Sequence, residues 1–279
     1  MLGWGAAWIP SALLVERWEP QASAAGRLGL AGAAVIAVLI ATGRRVLPGV
    51  GLPALLWIGL TQTALFYGIV FWGIAEEGAG LSAVLSNTDP LFVAALGVIF
   101  LGESLRRAQW VGLVIGFLGA AIVASPDGFL PFSPDLGALL VTGAGLSWAL
   151  GTIVATRFLR GVTEPLALAG WQMLLGAAML AVLSIAVESP PTDFGPEAVG
   201  LLLFTGVLGS ALPLVLFYAA VRHAPVGELS AWFFLVPVIA VIAAWPALGE
   251  DPTPGLLIGM TLVAIGLWLV LRPRAAAAG

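Results

Sequence analysis

The sequence predicts an all-α polytopic membrane protein with ten transmembrane helices, arranged as two inverted repeats of five helices (5+5). Two observations predict this class: a composition that suits lipid, and an internal repeat. The chain of 279 residues is 60% hydrophobic and 9% charged, with 11 basic and 15 acidic residues. A soluble domain of this length needs far more charge to cover its surface. Lipid is the solvent that this composition fits.

The repeat relates matching residues of the two halves at a spacing of 147 residues, which holds from Pro90 to Gly119 without a gap. It pairs Pro90 with Pro237, Gly102-Glu103 with Gly249-Glu250, Gly112 with Gly259 and Gly119 with Gly266. Because each half holds five helices, an odd number, the second copy crosses the membrane upside down. We therefore divide the chain into a first repeat (1–125), an external linker (126–135) and a second repeat (136–279). Inverted repeats of this kind build many secondary transporters, whose substrate site lies where the repeats meet.

The ten helices follow from apolar runs that are bounded by charged residues, Pro and Gly. They are predicted at 2–16, 27–46, 53–74, 80–101, 107–124, 136–158, 164–187, 198–221, 227–248 and 255–272. A helix needs about 17–25 residues to cross a bilayer. The first run, which ends at residue 16, is too short to cross unaided.

The positions of the arginines predict the orientation. The loops on one side of the membrane hold only Arg17 and Arg27. The loops and the tail on the other side hold Arg44, Arg45, Arg106, Arg107, Arg157, Arg160, Arg222, Arg272 and Arg274. Cytoplasmic loops carry the excess of basic residues. We therefore expect a multi-pass protein of the plasma or inner membrane with both termini in the cytoplasm.

Several classes of protein lack the residues they would need here. The chain has no Cys, one His, and neither an HExxH nor a GxxxxGK[ST] motif, so we expect no metal, no other cofactor and no ATP-driven pump. The net charge of −4 does not indicate a nucleic-acid partner. Asp89 is the one acidic residue predicted deep in the membrane, whereas an aspartic protease needs two. An enzyme is therefore not expected, and a carrier or a channel-like downhill facilitator remains.

The fourth helix of each half carries a Pro near its middle and Leu-Gly-Glu at its end. The first copy is GLSAVLSNTDPLFVAALGVIFLGESLRRAQWVGLVIGFLGAAIVA (80–124), and the second is GELSAWFFLVPVIAVIAAWPALGEDPTPGLLIGMTLVAIGLWLVL (227–271). In these residues the chain resembles the drug/metabolite transporter superfamily, in particular its ten-helix EamA-type members. The resemblance implies an alternating-access carrier that exports amino acids, metabolites or drugs. It also implies a central cavity lined by helices 1, 3, 4, 6, 8 and 9.

Asp89 is the most informative candidate residue. It lies about nine residues into the predicted helix 80–101, roughly 14 Å deep at 1.5 Å per residue, near the middle of a ~30 Å core. A charged Asp there costs about 2.5–3.5 kcal/mol, and such residues normally face a cavity, find a partner or hold a proton. Pro90 frees backbone carbonyls beside it. We expect Asp89 to couple transport to H⁺ or to bind a substrate amine; the alternative is a protonated Asp that satisfies the broken backbone. Asn87 is either a ligand or a local hydrogen-bond partner.

Aromatic residues on the helices that the resemblance assigns to the cavity are the next candidates. Rings at mid-depth stack on apolar solutes or hold a cation on their faces, whereas rings near helix ends form the interfacial belt. The predicted cavity aromatics are Trp4, Tyr67, Trp148, Tyr218 and Trp232.

Other polar and small residues receive structural interpretations. Glu103 and Glu250 end a helix, where a carboxylate bonds the first amides of the next helix. Arg27 begins the predicted second helix; we expect it to pair with Glu16 or Glu19, or else to attract an anionic group. The glycines of helices 5 and 10 form small-residue faces, which join either the two halves of the chain or two copies in a homodimer.

Overall fold

The computed structural model describes residues 1–77, 79–123, 136–161, 164–248 and 254–272, and the regular structure in these ranges is helical. We number the helical segments α1 to α10 in chain order. The first five are α1 (Leu2–Ala6 and Trp8–Val15), α2 (Pro20–Ala41), α3 (Leu52–Ile58, Gly59–Leu65 and Phe66–Glu77), α4 (Ala79–Ser86 and Asp89–Leu101) and α5 (Arg107–Val123). The others are α6 (Leu136–Leu159), α7 (Pro165–Val187), α8 (Pro196–Leu203, Phe204–Ala211 and Leu212–Ala220), α9 (Val226–Ala231, Trp232–Phe234 and Leu235–Leu248) and α10 (Pro254–Leu271).

Five of these segments, α2, α3, α6, α7 and α8, are long and apolar enough to cross a membrane. The remaining apolar helices in the described ranges are shorter, and α1 is one of them, as its sequence predicts. The main hydrophobic core runs between the long segments and includes Leu28, Phe71, Leu168 and Met173. Isoleucine, valine and leucine side chains remain exposed on the outer faces of several segments, as expected where lipid replaces water.

The start of α2 differs from the prediction. The helix begins at Pro20, seven residues before Arg27. A proline suits the first turn of a helix because its missing N–H would have no partner there. Glu188 then accepts the backbone N–H groups of Gln21 at 2.7 Å and Ala22 at 2.9 Å. Arg27 therefore lies about two turns inside the helix, and it is buried.

Wide helical turns recur at equivalent places in α3 and α8. The segments Gly59–Leu65 and Phe204–Ala211 are both π-helical, and their residues Gly59 and Gly206 are 147 positions apart. Such turns are frequent at functional sites because they displace the side chains and backbone carbonyls of a straight helix. In this chain they present Gln62 and Ser210 to the interior, where both are buried.

Segments α5 and α10 pack through reciprocal glycines. A Cβ added at Gly112 would lie 2.7 Å from the carbonyl oxygen of Gly266, and one added at Gly119 would lie 2.7 Å from that of Gly259. The 147-residue spacing exchanges these two contacts, since Gly112 corresponds to Gly259 and Gly119 to Gly266. The glycine faces therefore join the two halves within one chain, which decides between the two predicted uses of these faces.

The ion pairs fall into two groups. Arg17 pairs with Asp193 at 2.8 Å and with Glu197 at 2.7 Å. The second group consists of Arg44 with Glu164 at 2.9 Å and Arg160 with Glu103 at 2.5 Å. Every pair in the described ranges joins residues that the arginine pattern assigns to the same side of the membrane.

Glu103 bonds a different helix from the predicted one. Its carboxylate accepts the backbone N–H groups of Val226 at 2.8 Å and Gly227 at 3.1 Å, in the first turn of α9 rather than α5. Gly102, with a φ of 66°, ends α4 in the left-handed region and turns the chain just before Glu103. The carboxylate thus connects the two halves. Its repeat counterpart Glu250 lies outside the described residues.

Candidate functional site

A cavity of about 590 Å³, counting its open mouth, lies among α1, α2, α3, α4, α6 and α9. Its lining is mainly aromatic and aliphatic, with two charged side chains. The lining residues are Trp4, Ala7, Trp8, Ser11, Arg27, Phe66, Tyr67, Val70, Phe71, Ile74, Ser86, Asn87, Asp89, Trp148, Phe233 and Val236.

The structure brings five of the eight predicted site residues to this cavity: Trp4, Tyr67, Asn87, Asp89 and Trp148. The other three lie elsewhere. Pro90 is buried in the first turn of the second helix of α4, and Tyr218 is fully buried outside the lining. Trp232 is 38% exposed and also lies outside the lining.

Trp232 is displaced by a local change of helix type. Residues Trp232–Phe234 form a 3₁₀ turn, in which three residues complete a turn instead of 3.6. The next residue, Phe233, is buried and lines the cavity instead. The prediction placed an aromatic side chain from this turn at the cavity, and the structure supplies one from the neighbouring position.

Asp89 lies where α4 is interrupted. Asn87 and Thr88 are non-helical, and Asp89 is the first residue of the helix that follows, with Pro90 next to it. Asn87 Nδ2 donates to the carbonyl oxygen of Ala83 at 2.7 Å and Thr88 Oγ1 to that of Leu85 at 2.8 Å. The polar side chains beside the interruption therefore donate to backbone carbonyls of Ala79–Ser86, the first helix of α4.

The Asp89 carboxylate itself makes no side-chain hydrogen bond or ion pair with another residue of the described ranges. It is 5% exposed and borders the cavity. Its place in the first turn of a helix favours negative charge there, whereas its burial disfavours it. A carboxylate in this setting can take up and release a proton, or bind a cationic group that enters the cavity.

A glycine allows α6 to approach the interruption in α4. A Cβ added at Gly145 would lie 2.6 Å from Thr88 Oγ1 and 2.9 Å from the backbone N of Asp89. Trp148, three residues further along α6, lines the same cavity as Asp89.

Arg27 lines the cavity, although the sequence predicts it at the start of the second helix. The expected pairing with Glu16 or Glu19 is wrong: Nε donates to Ser210 Oγ at 2.6 Å, one Nη to Ser11 Oγ at 2.7 Å and the other to the carbonyl oxygen of Gly209 at 2.9 Å. A charged residue at this position predicts a membrane boundary, but the helix starts seven residues earlier, at Pro20. The match of Pro20 with Pro165, each opening its helix, indicates that α2 begins before Arg27.

Two aromatic rings contact the same guanidinium. Its Cζ lies 5.2 Å from the ring centroid of Tyr67 and 5.6 Å from that of Phe71. Cation–π contacts of this kind stabilise a desolvated cation. Arg27 has no carboxylate within ion-pair distance among the residues that the structure describes, so serines, one carbonyl and these rings are what hold it.

Edge-to-face and tilted aromatic contacts form one end of the cavity, which we call the aromatic floor: Trp4, Phe66, Trp148, Phe217 and Phe233. Trp4 lies 5.0 Å from Phe233 between ring centroids, and Phe66 lies 4.9 Å from Trp148. Phe217 packs behind them, 5.3 Å from Phe233. The indole N–H of Trp148 is buried and has no hydrogen-bond acceptor among the residues that the structure describes.

A buried polar cluster lies one helical turn beyond the aromatic floor. Tyr218 donates its hydroxyl to Gln62 Oε1, and Gln62 Nε2 donates to Thr152 Oγ1 at 2.7 Å. Gln62 and Thr152 lie four residues from Phe66 and Trp148, respectively. Gln172 is also fully buried. Tyr218 belongs to this cluster rather than to the cavity.

Comparison with known proteins supplies the family. The model of the EamA-like transporter family matches residues 1–125 and 135–272. The chain belongs to the EamA-like transporter family. This EamA-like chain also matches a crystal structure with a TM-score of 0.79 at 22% identity, which covers 97% of this chain and 95% of the other, and that likeness shows the fold.

Relatives of this EamA-like chain are named as transporters in bacteria. The uncharacterized transporter YvbV of Bacillus subtilis is 27% identical over 96% of this chain and 87% of its own length. The uncharacterized inner membrane transporter YedA of Escherichia coli is 27% identical over 88% of this chain and 80% of its own. A chloroplastic WAT1-related protein of Arabidopsis thaliana is 26% identical over 97% of this chain and 67% of its own. The protein is therefore a membrane transporter by family.

The helices that line the cavity differ from those implied by the resemblance. In this EamA-like chain α2 contributes Arg27 to the lining, and α8 contributes none of the lining side chains. The role of α8 is indirect, because its π-helical turn supplies Ser210 and Gly209 as acceptors for Arg27. The described residues contain no group of three or more His, Asp or Glu side chains placed to hold a metal ion.

Proposed function

We propose that this EamA-like protein is a secondary carrier that exports small organic solutes by alternating access, coupled to protons through Asp89. The observation that carries the proposal is the lining of the cavity. A carboxylate at a helix break and a guanidinium meet the same aromatic-walled space. In carriers built from inverted repeats, the solute binds at interrupted helices near the membrane midplane.

We further propose that all ten segments cross the membrane as two inverted repeats, 1–125 and 136–279, with the linker 126–135 outside and both termini in the cytoplasm. The matched π-helical turns of α3 and α8 and the reciprocal glycines of α5 and α10 support a twofold relation between the halves. The grouping of ion pairs by predicted side supports the orientation. Short segments are accommodated by local thinning of the bilayer or by flanking residues that reach the interface.

In this orientation the cavity faces the external side. Arg27 is about two turns from the external start of α2, and Ile74 and Ser11 lie near the external ends of α3 and α1. The aromatic floor and the polar cluster of Gln62, Thr152 and Tyr218 fill the cytoplasmic half. Transport then requires a second state in which the cavity closes and the polar cluster opens. A structure already closed on one side is expected of a carrier rather than a continuous pore.

The proton-coupling role of Asp89 follows from its surroundings. Arg27 is the other charged side chain of the lining, and the lining side chains of α6 and α9 are Trp148, Phe233 and Val236, which do not titrate in the ordinary range. Two more charged residues lie on helices that pack against Asp89–Leu101, the second helix of α4. Arg157 lies in the last turn of α6, and Glu228 of α9 accepts a hydrogen bond from Gln109 at 2.9 Å. Protonation of Asp89 is therefore sensitive to solute charge and to opening of the cavity.

The experiment uses purified protein in proteoliposomes loaded with a mixture of amines, amino acids and organic acids. We expect imposed pH gradients to drive saturable solute movement in the unaltered protein. Asp89→Asn should abolish the dependence on the gradient while solute exchange persists. Transport by Asp89→Asn that still follows the pH gradient would overturn proton coupling through this residue. Flux that never saturates would favour the channel-like facilitator and overturn the carrier.

A further inference from the structure

We infer that Arg27 binds an anionic group, a carboxylate or similar oxyanion, of the transported solute, whose body is apolar. The inference rests on the proposed carrier function and names the chemical class of its solute. It assigns the charged recognition to α2, a segment outside the helices that the family resemblance places around the cavity.

The hydrogen bonds of Arg27 leave donors free. A guanidinium has five N–H groups, and the structure gives three bonds, to Ser210, Ser11 and the Gly209 carbonyl. Two N–H groups therefore remain for a ligand, and a planar fork of donors is suited to a carboxylate or phosphate group. The serines hold the guanidinium in place without neutralising it.

Arg27 also has no carboxylate within ion-pair distance among the described residues, although Asp89 lines the same cavity. Arg27 is 5% exposed, and a buried cation is costly unless an anion accompanies it. The nearest described contacts are neutral hydroxyls, a carbonyl and the rings of Tyr67 and Phe71. An anionic solute that enters from the open side would supply the missing counter-charge at the wall of the cavity.

The second repeat provides an internal comparison for this position. Pro20 and Pro165 each open their helix, and counting seven residues from each reaches Arg27 and Gln172, which are 145 residues apart rather than the 147 found elsewhere in the repeat. A Cβ at Gly206 would lie 3.0 Å from the Arg27 carbonyl oxygen, and a Cβ at its counterpart Gly59 would lie 3.3 Å from that of Gln172. The two residues thus occupy equivalent places. Because the fold accepts a neutral amide at Gln172, packing of the repeat does not demand a cation at Arg27.

The remaining lining indicates the body of the solute. Trp4, Trp8, Phe66 and Trp148 present aromatic surface to the same space, and stacking on such rings favours flat or apolar groups. The indole N–H of Trp148, which has no acceptor among the described residues, offers a further donor. A small aromatic carboxylate matches both the charge and the surface.

The test measures binding of three ring compounds that differ only in their polar group: benzoate, benzylamine and benzyl alcohol. Tryptophan fluorescence reports binding in detergent micelles, since Trp4, Trp8 and Trp148 line the cavity. We expect benzoate to bind at least tenfold more tightly than the alcohol. Arg27→Gln, which copies the second repeat, should weaken benzoate by about tenfold to a hundredfold and leave the alcohol unchanged.

Two further variants separate charge from geometry and from general electrostatics. Arg27→Lys should recover part of the affinity, because it keeps the charge and loses the planar fork. Arg17→Gln removes an arginine near the same end of the molecule but outside the cavity, and should bind benzoate like the unaltered protein. If Arg27→Gln does not fold, the selectivity of the unaltered protein and the Lys variant still decide.

The inference is overturned if benzoate binds no better than benzyl alcohol, if benzylamine is preferred, or if Arg27→Gln binds benzoate normally. A preference for benzylamine, together with saturable pH-driven transport of amines in proteoliposomes, would overturn this inference and leave the carrier proposal intact. Failure of the carrier itself would instead show as the absence of saturable exchange for every solute in proteoliposomes.

Discussion

Ser210 Oγ accepts a hydrogen bond from Arg27 Nε at 2.6 Å, so a serine of the second half holds the buried cation of the first. The bond spans the two halves of the molecule. Ser210 comes from the π-helical turn of α8, whose equivalent in α3 supplies Gln62 to the polar cluster. The wide turns therefore place one polar anchor on each side of the aromatic floor.

Ser210→Ala should lower the free energy of unfolding by about 1–3 kcal/mol, because a buried charged donor loses its acceptor. Thermal unfolding in detergent measures the loss. Ser230→Ala is the matched control: this serine is also fully buried, but within the described part of the chain its side chain bonds only the Gly227 carbonyl of its own helix, at 3.2 Å. Equal losses in the two variants would contradict the anchoring role of Ser210.

Glu103→Ala should destabilise the protein by about 2 kcal/mol, since the first turn of α9 loses the acceptor of two backbone N–H groups, each cap being worth roughly 1 kcal/mol. Glu103→Gln should lose less, because its amide oxygen can still accept one of them. The unfolding temperature in detergent measures both. Glu76→Ala, at an exposed glutamate, should leave that temperature unchanged, and a drop as large as that of Glu103→Ala would refute the capping interpretation.

Gly266→Val should separate α5 from α10 and cost about 3 kcal/mol through overpacking. A Cβ at Gly266 would lie 2.6 Å from both the Gly112 carbonyl oxygen and the Gly116 backbone N, and backbone atoms cannot turn aside as side chains do. Yield of monodisperse protein on size-exclusion chromatography and thermal unfolding report the damage. Gly143→Ala, where nothing lies within 4 Å of the added carbon, should be tolerated.

The ion pair of Asp193 with Arg17 should make stability depend on pH in the acid range. The backbone N–H of Gly195 and then the Arg17 side chain lower the pKa of Asp193 below its ordinary value of 3.8. Because the pKa of Asp193 is lower in the folded state, its ionised side chain stabilises the protein fully at pH values above its ordinary pKa. This stabilisation declines as the pH falls below the ordinary pKa and is lost once the pH falls below the pKa of the folded state.

Comparing the unfolding temperature of Asp193→Asn with that of the unaltered protein across pH 7 to acid conditions checks this expectation. The difference between the two proteins should be constant near neutrality and should shrink as the solution is acidified. A difference that grows on acidification would contradict the assignment. Glu76→Gln, a neutralised acidic residue at an exposed position, serves as the control.

Much of the fold could be predicted because lipid imposes simple rules. Apolar runs predict the helical segments, and the acidic residue predicted at mid-depth, Asp89, lies in the lining of the cavity. The start of α2 could not be found in this way, because a charged residue usually marks the end of a span. Only the tertiary contacts of Arg27, with serines from α1 and α8, make its burial tolerable.

The direction in which side chains point was the second feature that could not be predicted from the sequence. Segments such as α9 are apolar on all sides, so no amphipathic pattern distinguishes Trp232 from Phe233. A single 3₁₀ turn then decides which ring reaches the cavity. The partner of Glu103 was equally hidden, since its contact with Val226 depends on how distant segments meet rather than on local sequence.

The chain contains no cysteine, so single cysteines test alternating access directly. We would place one in the cavity by Val70→Cys and one in the polar cluster by Thr152→Cys, and apply a membrane-impermeant thiol reagent from each side in turn. Reaction of Val70→Cys from outside only, and of Thr152→Cys from inside only under conditions of transport, is the result predicted for a carrier with two alternating states. Simultaneous reaction of Val70→Cys from both sides, or no reaction of Thr152→Cys during transport, would contradict it.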